Sequence, residues 1–187
     1  MGDREKRFFV VTGGPGSGKS SLIDRLQRNG YAGSVEAGRG IIQDQVIVGG
    51  IALPWSDPML FAELMLSWEM RSYHIAQHAA GPVFFDRGVP DVLGYLRLSD
   101  IPAPGHMERA AAVFRYYRRV FITPPWQEIF QQDRERKQGF DEAVRTYDVL
   151  VATYTTYGYE LVEIPRVSVE QRVRFVLQSL GLHKSTP

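Results

Sequence analysis

The chain is 187 residues long, the length of one domain with a sizeable core of its own. Its 22 Lys and Arg against 21 Asp and Glu leave a charge of +1, and 44% of residues are apolar, so it has neither the basic surplus of a nucleic-acid binder nor the charge of a disordered tail. The absence of cysteine excludes disulfides, thiolate zinc sites, iron–sulfur ligation and a cysteine nucleophile together.

Met1 to Arg7 passes straight into Phe8-Phe9-Val10-Val11 without the apolar stretch of a signal peptide. No run of about 18 apolar residues is present to span a bilayer. These features predict a cytoplasmic protein with neither a membrane nor a nucleic-acid partner; the oligomeric state leaves no mark in the sequence.

In chain order, short apolar runs predict strands at Phe8 to Thr12, Gly33 to Glu36, Val83 to Asp86, Arg119 to Thr123 and Glu160 to Ile164. Val83-Phe84-Phe85 lacks polar alternation, as a strand covered on both faces should. Between the strands, helices are predicted from Ser17 or Gly18 to Asn29, stopped by Gly30, and from Gly38 to Val48. After a loop through Gly49 to Trp55, Asp57 caps a helix with Pro58 in its first turn, running to Ala80. Asp141 to Tyr157 is a further helix, and the pair Ser168 and Gln171 forms a capping box for the last, Val169 to Leu180. Helices alternating with strands predict an α/β fold, three layers around a mostly parallel sheet, in one domain from 1 to 187.

Gly13-Gly14-Pro15-Gly16-Ser17-Gly18-Lys19-Ser20 fits the G-x-x-x-x-G-K-[ST] pattern, directly after an apolar strand and at the start of a helix. Glycines allow a backbone path whose N–H groups turn inward around a phosphate, and the helix amino end adds positive potential. Gly13, Gly14, Pro15, Gly16, Ser17, Gly18, Lys19, Ser20 and Ser21 are therefore the candidate nucleotide-binding residues. Lys19 bridges the β- and γ-phosphates in this reading, and the Ser20 hydroxyl meets Mg²⁺. The chain lacks the N-K-x-D guanine motif of a GTPase and a Walker B run closing in Asp-Glu. Val83-Phe84-Phe85-Asp86-Arg87-Gly88 stands in the Walker B place instead.

With that Asp-Arg pair the sequence resembles the P-loop kinases of the nucleoside and nucleotide kinase group, whose third strand ends in Asp-Arg or Glu-Arg. It is also similar to small bacterial proteins described as predicted AAA-type ATPases in Phe85-Asp86-Arg87-Gly88, Pro124-Pro125-Trp126, Asp133-Arg134-Glu135-Arg136-Lys137 and Gly158-Tyr159-Glu160-Leu161. The resemblance implies a five-stranded parallel sheet of order 2-3-1-4-5, ATP and Mg²⁺ as cofactors, and a small-molecule acceptor. It further implies a carboxylate at the end of the second strand as catalytic base, the place of Glu36.

Asp86 is the first choice for the catalytic carboxylate, with Glu36 the alternative; Asp86 could instead hold Mg²⁺ through water beside Ser20. Arg87 and Arg39 follow these carboxylates closely enough to orient them or clamp an anionic group. A basic segment near 126–140 reads as a closing lid on which Arg134 and Lys137 share a helix face and both reach the phosphates, with Arg134 a catalytic candidate and Arg136 a nucleotide-binding one. Trp68 and Arg71, on the helix beginning at Pro58, are the candidate acceptor contacts beside Glu36, Arg39, Asp86 and Arg87. The function expected is phosphoryl transfer from ATP to a nucleoside, nucleotide or related metabolite. The rivals are an ATP hydrolase or nucleotide-dependent switch acting on a protein partner, and a nucleotide-binding module without catalysis.

Overall fold

The computed structural model describes residues 5–130 and 139–182. Its elements run β1 (Phe8–Gly13), α1 (Lys19–Arg28), β2 (Ala32–Gly33), α2 (Ala37–Val48), α3 (Pro58–Ala76), β3 (Val83–Asp86), α4 (Val89–Leu98), α5 (Gly105–Val113), β4 (Arg119–Thr123), α6 (Phe140–Thr156), β5 (Glu160–Glu163) and α7 (Val169–Ser179). The strands form one parallel sheet in the order β2-β3-β1-β4-β5, as expected. Its central strands β1 and β3 are buried throughout, because helices cover both faces and leave no face for polar alternation.

Alternate residues of β1 feed two cores. Phe8 and Val10 pack with Phe85, Tyr116, Leu150 and Tyr154 on the α6 side. Phe9 and Val11 pack with Leu22, Leu26, Phe84 and Val176 on the α1–α7 side. At roughly 1.5–3 kcal/mol for each large side chain fully buried, these layers supply the main drive for folding.

Four local features differ from the sequence expectation. β2 ends at Gly33 because Ser34 diverts the ladder: its N–H donates to the Phe84 carbonyl at 2.9 Å, while its hydroxyl accepts the Asp86 N–H at 3.0 Å. The chain then turns, and Glu36 stands at the entry to α2. α3 ends at Ala76, not Ala80, as Gln77, His78 and Ala79 make tight bonds three residues back. The Arg7 guanidinium closes that end, donating to the carbonyls of Gln77 at 3.0 Å, Gly81 at 3.2 Å and Ala79. Two helices without a predicted counterpart, α4 and α5, pack with α3 in a further apolar core. Gly94 permits the close approach of α4 to α6, since a Cβ there would lie 2.8 Å from Leu150. Among the described residues, no helix is long and apolar enough to cross a membrane.

Candidate active site

β1 ends in Gly13 at φ 137, and the loop that follows returns through Gly16 and Gly18 to start α1 at Lys19. Gly18 holds φ 80 as the N-cap and makes no side-chain cap, and α1 has no acidic residue in its first turn. The helix amino end therefore presents backbone N–H groups and positive potential with no acid of its own first turn to offset it. Lys19, buried, donates from Nζ to the Gly14 carbonyl at 2.8 Å, and Ser17 Oγ donates to the same carbonyl at 2.7 Å. The Ser17 and Thr123 hydroxyls lie 2.7 Å apart, tying the loop to the end of β4. This is a cradle for a phosphate chain, and the residues fit that group.

Two carboxylates flank the cradle, and their surroundings differ. Asp86, at the end of β3, is 4% exposed, and its Oδ1 is buried without a hydrogen-bond partner among the described residues. Burial pushes its carboxyl up, opposed by the Lys19 ammonium and reinforced by Glu36. An orphaned carboxylate oxygen close to Lys19, with the exposed Ser20 hydroxyl in the first turn of α1, suits a magnesium ion. Such an ion takes few protein oxygens and fills its shell with phosphate and water. Glu36, at the start of α2, accepts from Arg87 Nε at 3.3 Å.

Arg87 carries the strain of the site. It holds φ 75, a left-handed conformation that costs about 1–3 kcal/mol for a residue with a Cβ. Its N–H donates to Val11 O at 3.0 Å, and its guanidinium is held by Glu36 on one side and by Asp91 at 3.2 Å on the other. Asp91 is a hub: one oxygen accepts from Thr12 and Arg87, the other from the Gly88 N–H at 2.9 Å and the Tyr154 hydroxyl. These contacts join β1, α4 and α6 around a single buried carboxylate, and the three carboxyls of Glu36, Asp86 and Asp91 push the Arg87 guanidinium above its ordinary value against the cost of burial.

Two hollows meet here. One, about 560 Å³, runs over the phosphate loop and is lined by Lys19, Ser20, Arg39, Trp126, Phe130 and Arg172. Arg172 is 1% exposed, donates from its guanidinium to Ser17 O at 3.0 Å, and stacks over the Trp126 ring at 4.6 Å. Burial alone lowers its pKa. The other hollow, a cavity of about 240 Å³, lies between α2, α3, α4 and α6 and has Glu36, Glu69, Arg87 and Asp91 in a mostly apolar wall. Pro15 and Glu36 line both.

The structure thus brings Gly13 to Ser21, Glu36, Asp86 and Arg87 together. Arg39 is exposed and faces the phosphate-loop hollow, not the inner cavity. Trp68 and Arg71 line a separate groove against β2, on a different face of α3 from the cavity. Arg134 and Arg136, with the rest of 131–138, lie outside the described residues.

Three site residues escaped the sequence reading. Asp91 had a signal: Gly88 followed by Pro90 and Asp91 marks a helix start with an acid in its first turn, here accepting the Gly88 N–H at 2.9 Å. Glu69 had one too, a lone acid on the apolar face Ala62, Leu66, Glu69, Tyr73, Ala76, at spacings of three and four. Arg172 stands in the same way beside Val173 on the buried face of α7.

Compared with known families, residues 8–172 match the family model described as AAA domain. The chain belongs to the AAA domain family. Among solved structures, this AAA domain is similar to deoxyadenosine kinase from M. mycoides with the products dCMP and dCDP (TM-score 0.66, 13% identity, 93% of this chain and 98% of that one). It is also similar to thymidylate kinase from Ehrlichia chaffeensis (TM-score 0.59, 15% identity, 94% and 98%). A third likeness is to the NadR protein in complex with NR (TM-score 0.70, 15% identity), of which 97% of this chain covers 54%. No curated protein sequence matches it. This AAA domain therefore shares its fold with these kinases.

Proposed function

We propose that the protein is an ATP- and Mg²⁺-dependent phosphotransferase acting on a small-molecule acceptor such as a nucleoside, a nucleotide or a related metabolite. The observation that carries this reading is the junction of the two hollows. A phosphate cradle opens at Pro15 and Glu36 onto a second, largely apolar cavity, which gives donor and acceptor separate places and one meeting point. A hydrolase has no need of that cavity. The kinase-like fold of the solved neighbours supports the same reading.

In this mechanism the phosphate loop and Lys19 hold the triphosphate, and Ser20 and Asp86 would hold a magnesium ion, which would supply charge neutralisation for the phosphates. An acceptor in the inner cavity presents its hydroxyl oxygen to the γ-phosphorus. A new P–O bond forms there as the bond to the β–γ bridging oxygen breaks, and ADP leaves with that electron pair. The hydroxyl proton passes to the Glu36 carboxylate, oriented by Arg87 at 3.3 Å. Glu36 lines both hollows and Asp86 neither, which supports Glu36 as the base in this reading and leaves Asp86 the alternative role of holding the metal through water.

The test follows the γ-phosphate. Protein is incubated with γ-labelled MgATP, alone and with pools of nucleosides, nucleotides and other hydroxylated metabolites. Label on a pool member, lost in Lys19→Ala, is expected. Free phosphate alone, equally lost in Lys19→Ala, would overturn the kinase in favour of a hydrolase.

A further inference from the structure

Among the described residues, the inner cavity carries more negative than positive groups: its wall holds three carboxyls, Glu36, Glu69 and Asp91, and one guanidinium, Arg87. Arg87 is already engaged from both sides, by Glu36 at 3.3 Å and Asp91 at 3.2 Å. The other arginines proposed for an anionic acceptor face elsewhere: Arg39 lines the phosphate-loop hollow and Arg71 the groove against β2. A phosphate or carboxylate entering the cavity would meet like charge in a poorly solvated place.

Glu69 is the group that the transfer mechanism does not use. It projects from α3 into the cavity wall and is 2% exposed. A buried carboxylate costs stability unless a partner meets it. Burial, with Asp91, Asp86 and Glu36 nearby and, of the protein's own groups, only Arg87 opposing, pushes it well above the usual carboxylate range, and a cation entering beside it is the partner that would let it ionise. Independently of charge, the same wall offers aromatic surfaces: Phe61 and Tyr95 stand edge to face with centroids 5.3 Å apart, and Trp55 lies exposed at the rim. Aromatic faces beside a carboxyl form a setting that attracts a cation and does nothing for a phosphate.

We infer that the phosphoryl acceptor is a hydroxyl compound that bears a positively charged nitrogen and no phosphate, with Glu69 its counter-ion and Phe61, Tyr95 and Trp55 its aromatic wall. This rests on the phosphotransferase reading and narrows its acceptor class. Glu69 acts in specificity; the reacting hydroxyl faces Glu36.

The experiment uses the full chain with γ-labelled MgATP and three acceptor panels: nucleoside monophosphates, uncharged nucleosides, and hydroxyl compounds bearing an ammonium or a quaternised ring nitrogen. The expected result is label on a member of the cationic panel. Glu69→Gln should then raise KM for that member about tenfold or more while kcat stays within about threefold, the signature of lost ground-state binding. Trp55→Ala, at the exposed rim where folding is not at stake, should raise the same KM severalfold. Label on monophosphates, or on uncharged nucleosides with KM indifferent to Glu69→Gln, would overturn the inference and leave the kinase standing. Free phosphate with no labelled member in any panel would overturn both.

Discussion

Arg172 and Ser17 stand 155 residues apart in the chain and meet beside the phosphate loop, where the guanidinium donates to the Ser17 carbonyl at 3.0 Å. The same guanidinium stacks on Trp126, and its NH1 lies close enough that a Cβ at Gly18 would approach it to 2.8 Å. The last helix thus fixes the loop that opens the first. Gly18 is required here on two counts, its φ of 80 and this close approach.

Arg172→Met should therefore loosen the phosphate loop without emptying the core, since the thioether fills much of the same space. A nucleotide titration is expected to show MgATP affinity falling about tenfold, the order of one lost charge-assisted hydrogen bond. Arg172→Lys should restore little, because an ammonium lacks the planar group that stacks on Trp126.

Glu36 and Asp86 should separate in assay. Glu36→Gln is expected to cost roughly 10²–10⁴-fold in kcat with the Mg²⁺ requirement unchanged, the scale of a lost positioned base. Asp86→Asn should raise the Mg²⁺ concentration needed for half-maximal rate. Equal Mg²⁺ profiles in the two variants would remove Asp86 from the metal.

The Asp91 hub predicts a stability effect. Asp91→Asn leaves Arg87 short of a charge and turns an acceptor into a donor facing Thr12, Gly88 or Tyr154. Denaturant unfolding should show a loss of about 3–5 kcal/mol, the range for breaking a buried pair. Tyr154→Phe removes one of the four donors and should cost about 1 kcal/mol.

Glu69 predicts a pH dependence. Its carboxyl is raised in the folded protein well above 4.5, so above that pH the unfolded chain releases a proton that the folded chain keeps. Stability from this group is full below about pH 4.5 and is lost as pH rises toward the folded value. Burial is the first cause, and the facing groups are Asp91, Asp86, Glu36 and Arg87. Glu69→Gln should match the parent near pH 4 and exceed it increasingly toward pH 8, measured by urea unfolding in EDTA. A constant difference across that range would mean that Glu69 is charged in the fold.

Much of this protein was written locally. The glycine pattern before Lys19, the unbroken apolar run Val83-Phe84-Phe85 and the capping box at Ser168 each act within a few residues, and each stands where the sequence places it. The sheet order is the one that the resemblance to P-loop kinases implies. What the tertiary structure decided is which charges face which hollow. Arg39 and Arg71 look equally able to clamp an acceptor in the sequence, yet α2 and α3 turn them away from the cavity. Glu69 and Arg172 look like interruptions of apolar faces until packing buries them against the cavity and the phosphate loop. Backbone motifs are short-range because glycine conformation and hydrogen-bond caps are set by neighbouring residues. The chemistry of a buried charge depends on partners brought by other elements, and only the folded chain supplies them.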